Sequence, residues 1–135
     1  VEEDLCGVGD MSAEMLTVQG RLIGMNDLIN SARTNRFGSA KQKKDQMKIV
    51  SSAILMDADF EAVRYPARVT PHIDFYEPNS RRDADNVIGG GCKIIFDALV
   101  ECGILVDDSR KYVSSAVCNV YTDKDNPRIE IRLIE

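Results

Sequence analysis

The stretch Val87-Ile88-Gly89-Gly90-Gly91-Cys92-Lys93-Ile94-Ile95-Phe96-Asp97-Ala98-Leu99-Val100-Glu101-Cys102-Gly103 decides the fold. Val87, Gly91, Ile94 and Ala98 fall along one row at helical spacing, with Ile88, Ile95, Leu99 and Cys102 along the row beside it. Together they make one continuous apolar stripe, which predicts a helix with a buried face. Gly103 is placed as the left-handed residue that ends it, with Ile104 folding back. Inside a helix the three glycines 89–91 cost roughly 2–3 kcal/mol relative to alanine. Either the helix starts after them, or a backbone, ligand or partner helix approaches closely there.

Upstream, residues 67–76 alternate, with Val69, Ile73 and Phe75 on one side and Arg68, Thr70, His72 and Asp74 on the other. That pattern is a half-buried strand, and Pro71 argues for an edge or a bulge. Further back, Met47, Val50, Ile54, Leu55 and Ala58 recur at helical spacing and predict another helix, ended by Pro66. Residues 33–48 lead into it and carry Arg33, Arg36, Lys41, Lys43, Lys44 and Lys48 against Asp45 alone. Met15–Gln19 reads as a short strand closed by Gly20, and Leu22–Ile29 as a loop entering a helical turn. Downstream, residues 112–121 and the alternating segment Arg128–Ile134 read as strands joined by the polar turn Thr122–Pro127, hence as a hairpin. The order strand, helix, strand, helix, strand, strand predicts an α+β fold, a small mixed β-sheet with two main helices packed on it.

The 135 residues suit one domain. We expect it over residues 15–135, behind a loose acidic tail at 1–14. That tail holds Glu2, Glu3, Asp4, Asp10 and Glu14 with no Lys or Arg, which accounts for the whole net charge of −5. The remainder is neutral, so the global charge says little about partners. A hydrophobic share of 44% excludes wholesale disorder. No apolar run approaches membrane-spanning length, and the N-terminus shows no basic-then-apolar leader. Cys6, Cys92, Cys102 and Cys118, with His72 as the single histidine, fit no zinc spacing. Reduced thiols in a cytoplasmic protein are the expectation.

The chemistry concentrates in Arg81-Arg82-Asp83-Ala84-Asp85-Asn86 and Asp107-Asp108. In an extended segment Asp83 and Asp85 point to one side. Two ionised carboxylates so close call for a cation between them, or one pKa rises. A hard, oxygen-preferring ion such as Mg²⁺ satisfies both, and Asp107 or Asp108 could join if the chain crosses back or a second subunit supplies it. Asn86, Gly90, Lys93 and Asp97 share a polar helix face. Lys93 is then either an ordinary lysine paired with Asp97 or a cation for a phosphate near the metal. Neither Asp83 nor Asp123 starts a complete EF-hand loop. Residues 89–93 lack P-loop spacing, and His72 has no nucleophile or acid pattern around it.

Arg82-Asp83-Ala84-Asp85-Asn86, Lys93-Ile94-Ile95-Phe96-Asp97-Ala98-Leu99 and Gly103-Ile104-Leu105-Val106-Asp107-Asp108 together resemble the RusA family of Holliday junction resolvases, which occurs widely in phages and prophages. The resemblance implies a homodimeric, Mg²⁺-dependent endodeoxyribonuclease of recombination and repair, with Mn²⁺ as a substitute and no nucleotide cofactor. Its DNA partner is a four-way junction, cut by paired symmetric nicks. Carried over, the metal-binding aspartates fall on Asp83, Asp85 and Asp108, the catalytic lysine on Lys93 and the arginine before the first aspartate on Arg82. Asn26 falls in the DNA-contacting loop, where Met25 replaces an expected serine. Arg33, Arg36, Lys41, Lys43, Lys44, Lys48, Arg81 and Arg82 are the cations expected to meet phosphates. The alternatives are a catalytically silent DNA-binding dimer, or a metal-dependent phosphohydrolase acting on nucleotides or other branched DNA.

Overall fold

The computed structural model describes residues 14–135. The expected loose tail lies outside them apart from Glu14, as does Cys6. In chain order the elements are β1 (Met15–Gln19), α1 (Met25–Thr34), α2 (Arg36–Met56), α3 (Ala58–Ala62), β2 (Thr70–Glu77), α4 (Ala84–Glu101), β3 (Val117–Thr122) and β4 (Arg128–Ile134). The strands form one mixed sheet in the order β1-β4-β2-β3, and the helices pack on it. The α+β expectation is met, with two long helices, α2 and α4, and two shorter ones.

Alternation along the strands explains the layering. Leu16, Val18, Ile73, Phe75, Ile129, Ile131 and Leu133 are all buried and face the helices. The intervening residues line the opposite face of the sheet. Helix α4 buries Val87, Gly91, Ile94, Ile95, Ala98 and Leu99 of the expected stripe, leaves Ile88 and Cys102 half-buried, and also buries Gly90, which was expected on the polar face. Gly103 ends it with φ +77°, and the Ile104 N–H returns to the Leu99 carbonyl at 3.0 Å.

The glycine run lies inside the helix, not before it, and close approach is the reason. A Cβ on Gly90 would stand 2.2 Å from the Ile23 carbonyl oxygen and 2.7 Å from the Met25 nitrogen. One on Gly91 would stand 2.4 Å from the Phe75 ring. The bare backbone of α4 therefore lies directly on the entry to α1.

The expected C-terminal hairpin is corrected. β4 pairs antiparallel with β1 and β2, while β3 pairs parallel with β2 on its far side. The Thr122–Pro127 turn thus steps over the end of β2, a span of two strand spacings, or about 9.5 Å. The Asp123 N–H pins that crossing to the Glu77 carbonyl at 2.7 Å. β3 also starts only at Val117, later than expected. Pro71 sits on an interior strand, but β3 pairing begins at His72, so Pro71 has a neighbour on the β4 side alone.

Helix α1 is a full helix where a loop and turn were expected. Helix α2 begins at Arg36, capped by the Asn35 side chain, which accepts from Gly38 N–H at 2.9 Å. It buries Val50 and Ile54, whereas Leu55 is 72% exposed. Ala58 belongs to α3, started by the Asp57 carboxylate accepting from Phe60 N–H.

Gly90→Ala should destabilise the protein by about 2–3 kcal/mol through overpacking against backbone. Gly89→Ala meets the Met25 side chain alone, its methyl at 3.2 Å and its Cβ at 3.3 Å, and should stay within about 1 kcal/mol, with helix propensity in its favour. Urea denaturation of the two variants beside the parent measures the contrast.

Candidate metal and nucleic-acid site

The close packing at Gly90 sets the first turn of α4 beside the first turn of α1. Gly24, the N-cap of α1, has no side chain with which to cap. Asn86 does this from 60 residues away: its Oδ1 accepts the Asn26 N–H at 2.8 Å. A helix start leaves N–H groups unsatisfied, and here one end of α4 serves another helix. Asn26, the residue expected on DNA, is thereby held against the Asp83–Asn86 segment, with its side chain exposed.

Asp83 is the N-cap of α4 and Asp85 lies in its first turn. Both are exposed. The Asp85 carboxylate accepts from the Asn86 N–H at 2.9 Å. Among the described residues neither aspartate has a cationic partner within salt-bridge distance. The positive end of the helix dipole favours carboxylates there.

Behind them lies a group that the sequence did not single out. Glu77, 4% exposed, takes Arg82 in a two-point contact (Nε at 2.9 Å, Nη2 at 2.8 Å) and Arg21 Nη2 at 2.7 Å. Arg82 Nη1 also donates to the Leu22 carbonyl at 3.0 Å. Burial alone would raise the Glu77 carboxyl. The hydrogen bonds and charges of Arg82 and Arg21 outweigh it and hold the group below the usual value of 4.5. The expectation that Arg82 meets a phosphate is therefore corrected. Its guanidinium is turned inward, joining the end of β2 to the chain entering α1. Arg81 is the exposed cation of the pair.

Asp107 and Asp108 stand elsewhere. They line a cleft with Lys43, Met47, Asp97, Val100 and Glu101, beside the last turns of α4. Asp85 and Glu101 are separated along the helix axis by about 24 Å at 1.5 Å per residue. The chain does not cross back, and among the described residues no three acidic, Cys or His side chains gather as a metal would require. One copy of the chain thus carries two separate acidic pairs, Asp83–Asp85 at one end of α4 and Asp107–Asp108 at the other.

Lys93 belongs to the second group. Its Nζ lies 3.5 Å from Asp97 Oδ2, and Lys43 reaches the same oxygen at 2.8 Å. The Asn86–Gly90–Lys93–Asp97 face, expected to be polar, forms the seam with α1 and α2 through Asn86, Gly90 and Asp97, while Lys93 stays exposed. Lys43, expected on DNA, leans into that seam. Lys41 pairs with Asp45 at 3.1 Å on the surface, and Arg33, Arg36, Lys44 and Lys48 are exposed.

Glu77→Gln should cost about 3 kcal/mol at pH 7, because it leaves two guanidiniums facing a neutral amide. Since the folded-state value lies below 4.5, the Glu77 contribution is complete above that pH and is lost as the pH falls through the folded value. The gap between parent and variant in urea melts should therefore narrow as the pH is taken below 4.5.

No family model matches the chain, and no curated protein sequence matches it. The resemblance read from the sequence has its specific motifs between Arg82 and Asp108, with a looser likeness over the rest of the chain from Met15.

Proposed function

We propose that two copies of this chain pair about a two-fold axis and act as a Mg²⁺-dependent endonuclease that nicks four-way DNA junctions at paired positions. The observation that carries this reading is the division of the acids between opposite ends of one helix. A two-fold axis across α4 sets the helices of two copies antiparallel, so each copy's Asp83–Asp85 end meets the other's Asp107–Asp108 end. Dimerisation then makes two complete carboxylate sets where the described residues of a single chain hold none, a pairing suited to cutting two strands.

In each set Asp83 and Asp85 of one copy and Asp108 of the other would hold the ion, an all-oxygen set suited to Mg²⁺ and equally to Mn²⁺. When bound, the ion supplies a more acidic water and charge relief at the phosphate. The chain's own residues do the rest. Asn26 and Arg81 flank the acid pair and meet the DNA backbone. Arg33, Arg36, Lys41 and Lys44 extend the cationic surface along α1 and α2 and supply salt-sensitive affinity. Lys93, held by Asp97, places its charge beside the Asp107–Asp108 half.

With Mg²⁺ the protein should nick a synthetic four-way junction at symmetric positions and leave linear duplex largely intact. Asp85→Asn should still bind the junction while losing more than roughly 100-fold in cutting rate. Equal cutting of every duplex would point to a general phosphohydrolase, and binding without cutting in Mg²⁺ or Mn²⁺ to a silent DNA-binding dimer.

A mixing experiment tests the shared site separately. Asp85→Asn and Asp108→Asn subunits, each inactive alone, should regain nicking of one strand when combined, because the mixed dimer keeps one intact set. If each chain used only its own acids, the mixture would stay inactive.

A further inference from the structure

Cys92 on α4 and Cys118 on β3 bring their sulfurs to 3.6 Å. Both are free thiols and both are half-buried. Neither belongs to the acidic pairs described above. Cys118 pairs in register with the buried Ile73, so its side chain rises from the sheet toward α4. Cys92 descends from the helix to meet it, next to the Gly91 notch that seats Phe75. Cys102 differs: its sulfur lies 3.7 Å from the Ser51 hydroxyl, and among the described residues it has no thiol beside it.

The two thiols are not equivalent. The thiols share a hydrogen bond that either can donate, and with Cys92 as the donor it holds Cys118 below the usual thiol value, against its burial and the Asp74 charge. The same bond, with burial, pushes Cys92 up. One sulfur is therefore the readier thiolate, and its neighbour carries a proton in van der Waals contact with it.

We propose that Cys92 and Cys118 form a hydroperoxide-reactive dithiol that closes to an intramolecular disulfide, fastening α4 to the edge strand β3. The Cys118 sulfur attacks one oxygen of hydrogen peroxide, the O–O bond breaks, and the thiol proton leaves with the departing hydroxyl as water. Cys118 is then a sulfenic acid. The Cys92 sulfur attacks it, the S–O bond breaks, and the Cys92 proton leaves with that hydroxyl as a second water. Two thiols are oxidised by two electrons and one peroxide is reduced. The closed loop spans residues 93–117 and ties the helix bearing Asp85 to a strand held on one side only.

The test uses the full chain carrying Cys6→Ser and Cys102→Ser, which leaves only the pair. Mild hydrogen peroxide should lower the intact mass by about 2 Da, reversibly with dithiothreitol. The melting temperature should rise by something on the order of 10 °C over the reduced form. Adding Cys92→Ser should replace the mass loss by a sulfenic acid at Cys118 that dimedone traps. Adding Cys118→Ser should leave the chain largely unreactive. Peptide mapping of the oxidised, unsubstituted chain gives the answer without any variant, and a Cys92–Cys118 linked peptide is expected. An unchanged mass, oxygen adducts on Cys118 with Cys92 unmodified, or a crosslink only between molecules would each overturn the proposal.

Discussion

Backbone meets backbone where α4 crosses the entry to α1, and the arrangement of that end of the molecule follows from it. Side chains normally separate packed helices by 8–10 Å. At Gly90 there is none, and the Ile23–Met25 peptides lie where a Cβ would be. The approach is mutual: Gly24 is bare as well, and a Cβ there would strike the Asn86 amide at 2.7 Å. Because both chains give way, Asn86 can reach the Asn26 N–H and act as a cap for a helix that has none of its own. Helix propensity is sacrificed at three positions, and a fixed relation between the Asp83–Asn86 segment and the start of α1 results.

A second constraint locks the same corner from beneath. A carboxylate buried as deeply as Glu77 is costly to desolvate unless its oxygens are paired. Two guanidiniums from opposite sides meet that demand, one from each chain segment that flanks the corner. Arg82 also takes the Leu22 carbonyl, so one side chain joins the end of β2, the residue before Asp83 and the approach to α1. The charge at the surface changes accordingly. Of the adjacent arginines one is structural and the other exposed, and among the described residues the acids at the start of α4 have no cationic partner. A small domain, neutral apart from its tail, thus keeps a local negative patch at the start of α4, with the exposed Arg81 beside it in sequence.

Much of this was legible in the sequence, and the failures have physical causes. The α4 stripe, the Gly103 stop and the alternation of β2 and β4 depend on periodicity within one element, and they hold. The β3–β4 hairpin failed because alternation says which face a strand buries, not which strand lies beside it. Helix α1 was missed because its cap comes from 60 residues away, where no local signal exists. Leu55 shows that helical spacing admits a residue at the edge of a stripe that the neighbouring elements leave uncovered. Glu77 was readable and went unread. It continues the inward series Ile73, Phe75 by one more step, and an acid at an inward position requires cations nearby. Lys93 was readable only as a choice between two partners, and the structure shows Asp97 as its present one.

The placement of the aspartates is the step at which sequence order and spatial order part. Asp83 and Asp108 bracket α4, and a continuous helix of 18 residues is a rigid spacer that holds its two ends apart by its own length. No rotamer change, and no loop movement short of unwinding α4, can join them within one chain. The proposed shared chemistry therefore requires a second copy of the chain to bring the other end alongside. A two-fold axis supplies that arrangement for both ends at once. On this reasoning the length of α4 fixes the spacing between the two sets of acids in a dimer. Inserting or deleting a helical turn would move both sets together, whereas changes in the loop after Gly103 would disturb only the Asp107–Asp108 half of each.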